Sequence, residues 1–279
     1  MRPDDGALLS LEHVSKDYPP PPPMRVRRFF ARFRGLHVEE GFAVDALAGQ
    51  ELDDEEDMAD DDPTDLEPLP GQELLCARRV IDDVTLRARA GSVVGLTGPE
   101  GAGKTTLLKL VAGIVPPSEG RVMVSGSVAP ALTFMALALP AKGHTVKSAL
   151  PQLGAMVGIP PHLVRSRLDL IADLVDAPGL LKSSTSLMDS PRKREVLLSM
   201  ALAVEPDILL VDMPIRHDAF GDRCLERIDA LLERGGVVIS ERRDLRLTRL
   251  RADRVVALER GRLVDVTGEP ASAPRGGEA

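Results

Sequence analysis

The chain has 279 residues, 43% of them hydrophobic and 28% charged, enough for a substantial core in one large domain or in a compact domain with additions. Aromatic residues make up 3%, Trp is absent and the net charge is −8, which argues against base-stacking platforms and broad polyanion binding, so nucleic acid is not an expected partner. The two cysteines, Cys76 and Cys224, lie far apart without metal-type spacing and read as reduced cytosolic thiols.

The N-terminal MRPDDGALLSLEHVS lacks the basic start and apolar core of a signal peptide. Within it, LLSLEHVSKDY alternates apolar and polar positions and predicts a strand, which stops at the proline run Pro19 to Pro23 because proline offers no backbone donor to a ladder. A basic segment follows, MRVRRFFARFRG, with arginines interleaved among Phe29, Phe30 and Phe33. Two readings stay open for it: a short amphipathic helix on its own domain, or a docking segment for a membrane protein or anionic lipid heads. The acidic run ELDDEEDMADDDPTDLE is too charged to bury a core and is expected to be disordered. Regular structure resumes near Arg79, where VIDDVTLRARAGSVVGLTG predicts two strands joined by a turn at Ala90-Gly91.

Downstream, RVMVSG predicts a short strand after the turn-rich PPSEG. The longest apolar stretch, VAPALTFMALALPA, falls short of the roughly 20 residues that a bilayer span needs. A cytoplasmic protein is therefore expected, with any membrane role exercised through a partner or the surface. PHLVRSRLDLIADL and the Val175 that follows place Val164, Leu168, Ile171 and Val175 on one helical face, and a second helix is predicted from Arg192 to Val204. Asp207 to Val211, GGVVIS, DRVVAL and GRLVDVTG supply further strands. Strands interleaved with helices predict an α/β domain with a largely parallel sheet.

The most specific signal is VVGLTGPEGAGKTTLLKLVAG. Gly98-Pro99-Glu100-Gly101-Ala102-Gly103-Lys104-Thr105 fits G-x-x-x-x-G-K-[ST], with a strand before it and a helix after it, and these residues with Thr106 are the expected ATP-binding set. Glycines let the backbone wrap phosphates so that amide groups point inward, and the helix start adds an anion site. Lys104 is expected to reach the β- and γ-phosphates of ATP, and the Thr105 hydroxyl to ligate Mg²⁺.

With LEHVSKDY, the loop and its continuation LLKLVAGIVPPSEGRVMVSG, then EPDILLVD and DRVVALERGRLV, the chain resembles the nucleotide-binding subunit of ABC transporters. Among the branches it is most similar to bacterial exporters of polysaccharide, polyol phosphate and teichoic acid. The resemblance implies a P-loop NTPase fold: a mostly parallel core sheet, an antiparallel β part and a helical subdomain. With residues 19–78 read from their composition as an insertion in a domain that has already started, residues 1–18 are the first strand of the ATP-binding domain, 79–268 the rest of it and 269–279 a flexible tail. The resemblance places Tyr18 where the family stacks an aromatic on adenine, and Asp212 where an aspartate holds Mg²⁺ through water. It implies an integral-membrane permease subunit as partner, a homo- or heterodimer of ATP-binding subunits, and a peripheral position at the inner face of the plasma membrane.

The pattern breaks on the hydrolytic side. Met213 stands where the family carries the glutamate that polarises water, and a thioether cannot accept that proton. The Ser-Gly-Gly type signature aligns with SLMDSPRKRE, so that Asp189 replaces the serine and Ser190-Pro191 the glycines. Thr133 stands for the glutamine or acid of the loop after GSVAPAL, and counting back from DRVVAL puts Arg243 at the switch histidine. His217 reads as a surface residue, and Asp218 is a candidate for the family's cross-interface aspartate. Hydrolysis is expected to be impaired or lost, with Met213 and Arg243 at catalytic positions and no catalytic residue intact. Two alternatives stand beside that reading: a nucleotide-sensing regulatory or scaffold pseudo-ATPase, and an active transporter ATPase with unconventional residues.

Overall fold

A computed structural model describes residues 7–18, 78–139, 143–177, 179–241 and 252–266. The chain divides into two units: Met1–Lys16 with Val80–Ala279, and Asp17–Arg79. In the second unit the described residues are the tips of two strands, where Arg79 donates to both carboxylate oxygens of Asp17 at 2.9 and 3.0 Å. The proline run, the Arg/Phe segment, the acidic run, Cys76 and the tail expected at 269–279 lie outside the described residues, as does the greater part of the expected insertion.

The larger unit carries two sheets. Strands β1 (Ala7–Tyr18), β2 (Arg78–Arg89) and β4 (Glu119–Val124) form a three-stranded sheet in the order β2-β1-β4, with β1 and β4 antiparallel. The turn after β2 falls at Ala90-Gly91, as its residues predict. Halfway along β2 the buried face changes from Ile81 to Val84, Leu86 and Ala88. The change occurs at Asp83, whose φ is 51°, opposite a register shift in β1 at His13, whose φ is 50°. His13 Nδ1 and Asp83 Oδ1 lie 2.8 Å apart across these two irregular positions. A β-bulge of this kind lets each long strand turn its apolar side toward the core along its whole length.

The second sheet has six strands in the order β5-β6-β7-β3-β8-β9: β5 (Val128–Ala131), β6 (Ile208–Val211), β7 (Val237–Glu241), β3 (Val93–Thr97), β8 (Arg254–Glu259) and β9 (Arg262–Asp265). The first five run parallel and β9 closes the edge antiparallel to β8. Ile208, Leu209, Leu210 and Val211 are each fully buried, which is why this strand reads as an unbroken apolar run rather than an alternation.

Helices cover the sheet and build a helical subdomain: α1 (Lys104–Val111), α2 (Met135–Ala138), α3 (Val146–Met156), α4 (Pro161–Ser166), α5 (Leu168–Val175), α6 (Ser190–Ala203) and α7 (Ala219–Glu233). The single helix expected from Pro161 is two, broken at Arg167, whose backbone leaves the helical region at φ −110°, ψ 5°. Its apolar face survives the break: Val164, Leu168, Ile171 and Val175 are all buried. Among the described residues no helix is long and apolar enough to cross a membrane. Cys224 is a free thiol on the buried face of α7, and burial pushes its pKa up to about 12.

Candidate phosphate and strand-end site

Parallel strands deliver their carboxyl ends to one edge of a sheet, and ligands of open α/β sheets sit outside that edge. Here β3 runs into the loop at Gly98, β5 leads to Thr133, β6 to Asp212, and β7 ends on Glu241. Register fixes their neighbourhood: Val211 pairs with Ser240 and Leu96 with Glu241.

The loop is shaped by backbone that most side chains would resist. Gly98, Gly101 and Gly103 have φ of 137°, 75° and 102°. A Cβ on Gly98 would lie 2.2 Å from the Leu258 carbonyl oxygen of β8, and one on Gly103 would lie 2.9 Å from the Val80 carbonyl oxygen. Pro99 and Glu100 are exposed at the loop tip, Ala102 is buried beneath it, and its N–H closes a turn onto the Pro99 carbonyl at 3.3 Å. Helix α1 then starts at Lys104 with no side-chain cap at Gly103. Its first-turn amides are therefore not claimed by a capping side chain, which leaves the helix start as an anion site. Thr105 is exposed and Thr106 half-buried, while Leu107, Leu108, Leu110 and Val111 anchor α1 in the core.

Lys104 is 8% exposed, and its Nζ donates to the carbonyls of Gly98 and Pro99 at 2.9 and 2.8 Å. The same ammonium lies 3.5 Å from Glu241 Oε1. Glu241 was not singled out from the sequence. Counting back from DRVVAL reaches Arg243, whereas the strand register brings Glu241 to the sheet edge. Arg243 itself lies outside the described residues.

Asp212 is half-buried just beyond β6, and its Oδ1 accepts from both the amide and the hydroxyl of Thr133. Burial pushes its carboxyl above the usual range, the two Thr133 hydrogen bonds oppose that rise, and Glu241 adds to it. Lys109, which lowers it, sits with Nζ 4.4 Å from the centre of the Phe134 ring. A carboxylate raised by burial, beside another acid and one residue past a strand, is short of positive charge and suits a cation.

Met213, the next residue, belongs to a different environment. It is 4% exposed and lines a cleft of about 260 Å³ with Leu198 of α6, Pro214 and Phe220 of α7, while Pro191, Arg194, Glu195 and Arg216 line the rest. The thioether fills an apolar gap at this position, as methionine commonly does.

Helix α6 starts where the resemblance sets the signature. Asp189 is its N-cap, and Asp189 Oδ1 accepts from the Arg192 amide at 2.8 Å. Pro191 in the first turn has no N–H to offer. Pro191 and Arg192 thus present no open donor at the start of this helix, and the Asp189 carboxylate stands there. His217 is exposed. Asp218 caps α7 by accepting from the Gly221 amide at 3.0 Å and pairs with Arg216 Nε at 2.6 Å. That amide first, then Arg216, holds its pKa below the usual carboxylate range. Tyr18 ends β1 within the Asp17–Arg79 unit.

A strand, a glycine loop with a lysine and a capless helix at the edge of a parallel sheet define a P-loop nucleotide-binding protein. The profile of the ABC transporter family matches residues 81–216. The zinc import ATP-binding protein ZnuC of Yersinia pestis bv. Antiqua is 30% identical over 185 residues, 65% of this chain and 71% of that protein. The teichoic acids export ATP-binding protein TagH of Levilactobacillus brevis is 26% identical over 186 residues, 66% of this chain and 50% of that protein. In fold, the chain is similar to the ATP-binding cassette MJ0796, solved as a dimer in a post-hydrolysis state bound to ADP and Pi. That likeness has a TM-score of 0.59 at 17% identity, covering 91% of this chain and 96% of the other. The chain belongs to the ABC transporter ATP-binding family, whose domain is a nucleotide-binding one. It spans about half the length of several of the curated relatives it matches.

Proposed function

We propose that this chain is the ATP-binding subunit of an ABC transporter that exports a cell-envelope polysaccharide or glycolipid, with ATP hydrolysis impaired or lost. The loop from Gly98 to Thr106 would hold the phosphates through its amides and Lys104, and Tyr18 would meet the adenine. Thr105 and Asp212 would hold Mg²⁺, Asp212 through water. Bound Mg²⁺ supplies charge neutralisation at the β- and γ-phosphates. The chain would pair with a second ATP-binding subunit, identical or not, and sit at the inner membrane face through a permease. Similarity to the teichoic acid exporter supports the export side, although importer relatives share the same core at comparable identity.

The observation that carries the loss of hydrolysis is the pairing of a buried thioether at Met213 with a start of α6 where Pro191 and Arg192 offer no open donor. ABC sites are composite: one subunit's loop faces the other's signature. A site built on Lys104 would lack a general base, whose assistance is typically worth roughly 10²–10⁴ in rate. A partner's site would meet Asp189 and Pro191, a negative charge and a missing donor, where a phosphate needs hydrogen bonds. ATP would then favour a closed subunit pair through binding energy, and the closed state would persist.

The test pairs Mg-ATP binding with turnover on purified protein, alone and with a co-expressed permease. Binding that Lys104→Ala weakens, with turnover at background, is the expected result. Brisk hydrolysis by the unmodified protein, abolished by Lys104→Ala, would sink the impaired-site reading.

A further inference from the structure

We propose that Glu241 sets the nucleotide preference of this site by disfavouring a terminal γ-phosphate, so that a nucleoside diphosphate competes with the triphosphate far better than Lys104 and Asp212 alone would allow. The proposal rests on the reading of Gly98 to Thr106 as the phosphate site. Strand β7 lies between β6 and β3, so its last residue emerges between Asp212 and the loop. The Glu241 side chain is 13% exposed, and its Oε1 lies 3.5 Å from Lys104 Nζ. It is therefore held in the site rather than solvated at its rim.

The lysine of such loops serves the β- and γ-phosphates. Its ammonium has three donors, and at Lys104 two already point at the Gly98 and Pro99 carbonyls while a carboxylate stands beside the group. An oxygen accepting from this Nζ at the ordinary charged hydrogen-bond length would lie within about 6 Å of Glu241 Oε1. At that separation, with an effective dielectric constant of about 20, two like unit charges disfavour each other on the scale of about 10- to 100-fold in affinity. The rise that Glu241 causes at Asp212 is the same repulsion acting between two carboxylates. A triphosphate carries one more phosphate, and more negative charge, into this region than a diphosphate does. The penalty therefore falls mainly on the triphosphate.

The experiment measures Kd for Mg-ATP and Mg-ADP by calorimetric titration at fixed ionic strength, using the full chain. Wild type is compared with Glu241→Gln, Glu241→Ala and Glu241→Asp. Both neutral variants should shift the ATP-to-ADP affinity ratio toward ATP by about tenfold or more, and the charge-retaining Asp variant should stay near wild type. If Gln does not fold, Ala carries the same prediction. An equal change for both nucleotides, or a shift toward ADP, would overturn the proposal. So would ATP turnover that disappears in Glu241→Gln with an unchanged ratio, since Glu241 would then be a base. A Lys104→Ala arm separates the two readings. If it leaves both affinities untouched, the phosphate-site reading fails and takes this proposal with it; if it weakens both, only the Glu241 variants decide.

Discussion

Two helix starts in this molecule differ in what they leave open. Helix α1 begins after Gly103, a glycine at φ 102° with no side chain to offer its first turn. Helix α6 begins after Asp189, whose carboxylate takes the Arg192 amide, and continues through Pro191, which has no amide at all. Each is a sound solution to the orphan donors of a helix start. The first leaves those donors for an anion and surrounds them with lysine and glycine; the second consumes them internally and posts a negative charge outside. A family relationship predicts anion contacts at both ends, and the residues support them at only one.

The largest expected effect breaks the open end. Lys104→Ala removes the charged donor, and charged hydrogen bonds of about 1.5–3 kcal/mol correspond to about 10- to 100-fold weaker Mg-ATP binding, read by titration. Met213→Glu tests whether one residue restores chemistry. It would put a carboxylate into a cleft that Arg194 and Arg216 also line, and turnover should show no gain, because Pro191 and Arg192 still offer no open donor at the start of α6. A gain in turnover from that change alone would remove the closed helix start from the explanation.

Asp189→Ala opens the second helix start and should cost about 1 kcal/mol of stability, seen as a lower denaturation midpoint, with Mg-ATP affinity at Lys104 unchanged. The smallest effect concerns the cap of α7. The Asp218 pKa is lowered in the folded chain, so its stabilisation is present above the ordinary carboxylate range and is lost as pH falls through the folded value. Asp218→Asn should therefore flatten the acid side of the melting-temperature profile and leave its neutral part nearly unchanged.

Local chemistry made much of this legible. The loop spacing, the apolar run before Asp212, the turn at Ala90-Gly91 and the order of strands and helices all follow from short stretches of chain. The helix break at Arg167 was hidden because the 3.6-residue period of Val164, Leu168, Ile171 and Val175 continues across it. Glu241 was hidden for a different reason. Its importance comes from β7 lying between β6 and β3, strands that precede it by about 30 and 140 residues, and no local spacing records that neighbourhood. Thr133 could be placed from the sequence only by resemblance; its two hydrogen bonds to Asp212 give the position a role of its own.

The edge strand β5 carries one more lesson. Amides of Ile208 and Asp212 donate to the carbonyls of Ser127 and Ala131, so alternate residues of this strand face β6 and Pro130 turns its backbone outward. The outer edge thus lacks an amide at the middle of a short apolar strand. A proline facing outward at that position disfavours pairing of another strand onto this edge and so guards it against edge-to-edge association.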